Sequence, residues 1–204
     1  PGCNDGGSAP DAVAEDDWQI AADIRDGQIS QFLLKPIDYL TYRLCLYGAG
    51  RVIYTSVALL PVGLFILLQR EYFVWPTSTA IWGAFVVSLA LTALLQFLLS
   101  YTMALLSFWV MEVSTFIFIL FAFEYLASGH LFPLDILPRG LEQALFFTPF
   151  PYQLYFPVSI YMGKATGTDI IRGLVIQGLW VIAAYGLARF AWHRGTKKYS
   201  AVGG

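Results

Sequence analysis

The chain has 204 residues, 57% of them hydrophobic and only 13% charged, where soluble domains carry roughly 25% charged residues. With a mean hydropathy of +0.62, that excludes an ordinary soluble domain, and no basic stripe points to nucleic acid. The net charge of −2 hides an asymmetry: Asp5, Asp11, Glu15, Asp16 and Asp17 crowd the first 17 residues, so the remainder is net basic.

Residues 1–17 are rich in Gly, Asp, Ala and Pro and have no apolar period, which predicts a disordered acidic tail. They lack the basic and apolar regions of a signal peptide. The chain opens on Pro rather than Met, so a fragment or processed start is expected, with spans upstream of it. Residues 18–204 read as one membrane domain.

Residues 18–47 form a polar segment beside the membrane. Trp18 to Arg25 makes about two helical turns, and Gly27 interrupts. Gln28 to Lys35 makes a second short helix, which Pro36 ends because the residue before a proline disfavours helix. Pro36 suits the first turn of a following helix over 37–47. Between Asp23 and Pro36 the apolar positions include Ile24, Ile29, Phe32 and Leu33. Such a segment lies flat at a bilayer edge or meets a soluble partner.

Four membrane spans follow, at about 52–69, 81–110, 113–128 and 170–192. The first is uncharged between Arg51 and Arg70, close to the ~20 residues that cross a bilayer, and Pro61 should kink it. The second is long for a ~30 Å core, so tilt or protrusion is expected. Between the third and fourth, residues 129–168 carry Pro133, Pro138, Pro149, Pro151 and Pro157. The apolar pieces there, 141–148 and 152–162, are too short to cross and too apolar for a loop. They predict a re-entrant helical hairpin. With both ends in the cytoplasm, the inner segments hold Arg25, Lys35, Arg43, Arg51, Arg189, Arg194, Lys197 and Lys198. These outnumber Arg70, Arg139, Lys164 and Arg172 outside, as the positive-inside rule asks.

Polar residues inside the spans are the candidates for function. Ser88, Thr92, Gln96 and Ser100 recur every four residues on one helical face. They read either as contacts between helices or as the lining of a substrate path. Glu124 lies within the third span, where a carboxyl is a functional candidate or a paired structural group. Gly173, Gln177, Ala184 and Ala188 supply small or polar packing positions on the fourth. No phosphate-cradling loop, Gly-x-Ser-x-Gly or His-Glu-x-x-His occurs, and Cys3 and Cys45 form no metal pattern. Any use of ATP must come from another chain.

Several stretches carry a family resemblance. They are Asp23-Ile24-Arg25-Asp26-Gly27-Gln28-Ile29 with Leu33-Leu34-Lys35-Pro36, and Ser128-Gly129-His130-Leu131-Phe132-Pro133-Leu134-Asp135-Ile136-Leu137-Pro138. Thr148-Pro149-Phe150-Pro151-Tyr152, Tyr161-Met162-Gly163-Lys164 and the tail from Arg194 to Gly204 add to them. In order and spacing the chain resembles the permease subunit of type-2 ABC exporters, in the bacterial daunorubicin- or multidrug-type subfamily, without its first two spans. The resemblance implies an all-α integral membrane protein of the bacterial cytoplasmic (inner) membrane, not itself an enzyme. It would pair with a second permease subunit, as homodimer or heterodimer, and with a cytoplasmic ATPase that uses ATP and Mg.

By the same resemblance, Asp23, Arg25, Gly27, Gln28, Phe32, Lys35 and Pro36 form the ATPase-coupling segment. On the functional reading of the polar residues above, Ser88, Thr92, Gln96, Ser100 and Glu124 are the candidates for lining the translocation path. Gly129, Phe132, Pro133, Pro138, Pro149, Phe150 and Pro151 belong to an extracytoplasmic re-entrant hairpin capping that path. A membrane scaffold or assembly subunit without a transport path is the alternative.

Overall fold

The computed structural model describes residues 19–24, 29, 32, 37–72, 78–110 and 114–202. The expectations for residues 1–17, Arg25, Gly27, Gln28, Lys35 and Pro36 therefore lie outside the described residues. Among those described, every regular element is helical. Helix α1 is Tyr39–Leu68 and α2 is Thr79–Ala104, prolonged by a 3-10 segment at Leu105–Phe108. Helix α3 is Ser114–Ala127, α4 Arg139–Phe146, α5 Tyr155–Tyr161 and α6 Thr168–Val202. Residues 19–24 form a helical segment ahead of them, and residues 29 and 32 are also helical.

Among the described residues, three stretches, Tyr39–Leu68, Thr79–Phe108 and Thr168–Lys198, are long and apolar enough to cross a membrane. At 14 residues, α3 spans only ~21 Å at ~1.5 Å per residue.

Asp38 starts α1. Its side chain accepts from the Thr41 backbone N–H at 3.1 Å and from Thr41 Oγ1 at 2.7 Å, which satisfies donors that a helix start leaves free. Sequence reasoning placed one helix over 37–47 and a separate span from 52. Instead α1 runs unbroken through Gly48, Gly50 and Arg51. Helical glycine costs only about 1 kcal/mol against alanine. A broken helix in an apolar medium would leave several backbone groups unpaired, at several kcal/mol each. The helix also runs on through Pro61.

Helices α2 and α6 run parallel and form the spine, and α1 runs the other way. Two glycines of α6 set the closeness of its contacts. A Cβ on Gly173 would lie 2.1 Å from the Phe156 ring of α5, and one on Gly195 would lie 2.2 Å from the Phe108 ring at the end of α2. At the end where α1 begins, called basal here, Tyr39 stacks on Trp192 with ring centres 5.0 Å apart. Tyr39 also meets Tyr101 at 6.3 Å. Ile20, Ile24 and Ile29 are buried in this same core. At the other, distal end, Tyr152, Phe156 and Ile160 form a second core against α2 and α6.

Candidate functional site

The basal clamp begins with the spacing of Tyr39 and Arg43, one helical turn apart. The Arg43 guanidinium lies over the Tyr39 ring, 5.4 Å from its centre, and its Nε donates to Tyr39 Oη at 3.0 Å. Tyr39 Oη donates onward to Asp23 Oδ2 at 2.9 Å, and Arg43 Nη2 ion-pairs with the same carboxylate. Arg43 is 6% exposed and the Asp23 side chain 16%. In such surroundings, each charge depends on its partner. Phe32 packs on Tyr39 and Tyr42, each 5.2 Å away. The described residues of the polar segment, 19–24, 29 and 32, are thus fixed to the root of α1 by buried isoleucines, an aromatic cluster and an ion pair. Asp23, expected on a docking face, is turned inward. Nearby, Arg189 of α6 ion-pairs with Asp38. Partial burial works to raise the Asp38 carboxyl, but hydrogen bonds from Arg189 and Thr41 outweigh it and hold it below the usual value.

The polar face of α2 divides into separate contacts. Ser88 and Gln177 are fully buried. Gln177 Oε1 accepts from Ser88 Oγ at 3.0 Å. Its Nε2 donates to Thr92 Oγ1 at 3.0 Å and to the Tyr152 carbonyl at 2.9 Å. Thr92 Oγ1 also donates to that carbonyl, at 3.2 Å. One amide of α6 therefore joins α2 to the distal turn. Gln96 does something different: its Oε1 accepts from Arg51 Nη2 of α1 at 2.7 Å. Arg51 Nε donates to Tyr47 Oη at 3.0 Å. Arg51, expected to flank a span, instead lies within α1 and bridges to α2. Ser100 is buried nearer the basal end, and Glu124 of α3 is 8% exposed.

The distal region is built from proline-bounded turns. Gly129 has φ +92°, a backbone that disfavours other residues, and it turns the chain after α3. Beside it, Ser128 Oγ and His130 Nδ1 are 2.7 Å apart, and His130 stacks on Tyr125. Burial lowers the His130 pKa. Phe132 is half-buried. Pro133 precedes the 3-10 turn Leu134–Ile136, Pro138 precedes α4, and Pro149 precedes the 3-10 turn Phe150–Tyr152. Phe150 packs on Phe123 of α3 with ring centres 5.6 Å apart, and Pro151 is buried. Asp135 holds this region together by an ion pair with Lys164 and a hydrogen bond from Tyr155. Both lower its pKa, the Lys164 bond most. Gln153 buries its amide, and neither end is hydrogen-bonded among the described residues.

Sequence reasoning missed the Tyr39–Arg43–Asp23 clamp, and it treated Gln177 as a packing residue only. A signal for the first existed. An aromatic residue stands four before arginine at Tyr39–Arg43, Tyr47–Arg51, Tyr185–Arg189 and Phe190–Arg194. In each pair the guanidinium lies 5.2–5.4 Å from the ring centre.

Long apolar helices joined by buried polar contacts define a multi-pass helical membrane protein. The chain belongs to the ABC-2 family of transporter proteins: residues 11–203 match the profile described as "ABC-2 family transporter protein". No curated protein and no solved structure matches. Members of this family are membrane components of ABC transporters, typically not catalytic themselves, and they associate with an ABC ATPase.

Proposed function

We propose that the chain is the permease subunit of an ATP-driven ABC exporter of the daunorubicin- or multidrug-type subfamily. It resides in the bacterial cytoplasmic (inner) membrane with both ends in the cytoplasm. A second permease subunit, identical or not, completes the path, and ATP with Mg acts in a separate ATPase. The carrying observation is the basal clamp in a chain whose residues 11–203 match the ABC-2 family. A segment anchored in the membrane domain by buried Ile20, Ile24 and Ile29 is held in place to meet a partner. A push there reaches α1 through Asp23 and Arg43, and then α6 through Asp38 and Arg189.

The translocation path runs beside α2, with Gln96, Ser100 and Glu124 as its polar groups, while Ser88 and Thr92 fasten α2 to α6. Helix α3 is the fourth span, and the distal turns cap the path as a re-entrant hairpin. The test is co-purification of the native ATPase with charge-reversed Arg25→Glu and Lys35→Glu chains. Each reversal should cut recovered ATPase and its stimulated turnover at least severalfold. Unchanged recovery and turnover would reject the coupling assignment. A complex that assembles but never moves cargo would favour a scaffold instead.

A further inference from the structure

A cleft of about 860 Å³ opens at the distal end between α4, α5 and α6. Its lining is graded along α6. Asp169, Arg172, Gly173, Ile176 and Trp180 all contribute to it, and their spacing puts them on one helical face. From Asp169 to Trp180 the cleft runs ~16 Å along the axis at ~1.5 Å per residue. That is about half of a ~30 Å hydrocarbon core, one leaflet deep. It begins at the end of a membrane-crossing helix and passes from charged groups to an apolar and aromatic floor. On the facing wall, α4 repeats the pattern, with Glu142 one turn from Phe146. Phe156 forms part of the floor because Gly173 gives its ring room.

The charges at the mouth are of both signs. Lys164 is taken by Asp135. Among the described residues, Arg172, Glu142 and Asp169 have no ion-pair partner. A guanidinium suits a phosphate, and two carboxylates suit a primary ammonium. The depth, the polarity gradient and the mixed charge match one kind of occupant.

We propose that this cleft is a binding site for an aminophospholipid. Its phosphate meets Arg172, its ammonium meets Glu142 and Asp169, and one acyl chain lies over Phe156, Ile176 and Trp180. The site stands on the membrane-embedded fold alone and needs neither ATPase nor cargo, so its test is separate from that of the exporter function.

The experiment is native mass spectrometry of the purified full chain supplied with equal amounts of phosphatidylethanolamine, phosphatidylcholine and phosphatidylglycerol of identical acyl composition. The wild-type chain should retain phosphatidylethanolamine at least fivefold over the other two. Arg172→Gln and Glu142→Gln, on different helices, should each abolish that preference. Arg139→Gln, an exposed distal charge outside the cleft, should preserve it. Gly173→Ala, whose added Cβ would collide with the Phe156 ring in the cleft floor, should lower retention of phosphatidylethanolamine while keeping the headgroup order. Equal retention of the three lipids by the wild-type chain would overturn the site as annular lipid only. So would a preference that survives both Arg172→Gln and Glu142→Gln.

Discussion

Arg43 shows how a single side chain joins a polar segment to an apolar helix. Its guanidinium lies over the Tyr39 ring and pairs with Asp23 across the junction. Arg43→Ala strands a mostly buried carboxylate, and breaking a buried pair from one side costs about 3–5 kcal/mol. Tyr39→Phe removes hydrogen bonds but keeps the ring, at about 1 kcal/mol per bond. Unfolding in mixed micelles should rank Arg43→Ala well below Tyr39→Phe, and both below wild type. Equal stability of Arg43→Ala and wild type would remove the clamp from the account. Gln177 acts likewise on the spine. Gln177→Leu fits the space but leaves Ser88, Thr92 and the Tyr152 carbonyl without their amide. The expected loss is about 1–2 kcal/mol, the range for interhelical hydrogen bonds in membranes, read by the same assay.

At the scale of elements, hydropathy and length marked the apolar stretches well, because a membrane helix must satisfy its backbone within itself. Boundaries were less legible. Gly48-Ala49-Gly50-Arg51 looks like the end of one helix and the approach to another, yet α1 passes straight through it. Arg51 is accommodated there by Tyr47 and by Gln96, which lies 45 residues away in sequence. No local pattern discloses that pairing. The four-residue polar repeat on α2 was visible, but the split between Gln177 and Arg51 depends on which helices lie alongside. Close packing gives a further expectation. Gly195→Leu would drive a side chain into the Phe108 ring, and such overpacking costs about 1–3 kcal/mol. Gly178, which has open space at its Cβ position, is the control. A thermal melt should drop for Gly195→Leu and not for Gly178→Ala.

For the molecule as a whole, each end carries its own ion pair, Asp38 with Arg189 at the basal end and Asp135 with Lys164 at the distal end. Both carboxyls titrate below their usual value in the folded chain. Their contribution is therefore complete above the unfolded carboxylate pKa of about 3.9 and is lost as pH falls through the lower folded values. The share of the melting temperature due to these two pairs should stay level from pH 7 to about 5 and decline below about 4, on top of the fall below about pH 6.5 expected from His130, whose pKa burial lowers. The Asp38→Asn, Asp135→Asn double variant should show a shallower decline. An unaltered acid limb in that variant would shift the cause to other groups.

The glycine contacts of α6 have one more consequence. Gly173 receives Phe156 and Gly195 receives Phe108, at points roughly 33 Å apart along the helix at ~1.5 Å per residue. A rod notched at both ends cannot creep lengthwise by one residue without both rings leaving their seats together. Lengthwise sliding of α6 is thereby opposed at both seats, and tilting together with its neighbours is a motion that keeps both rings in place.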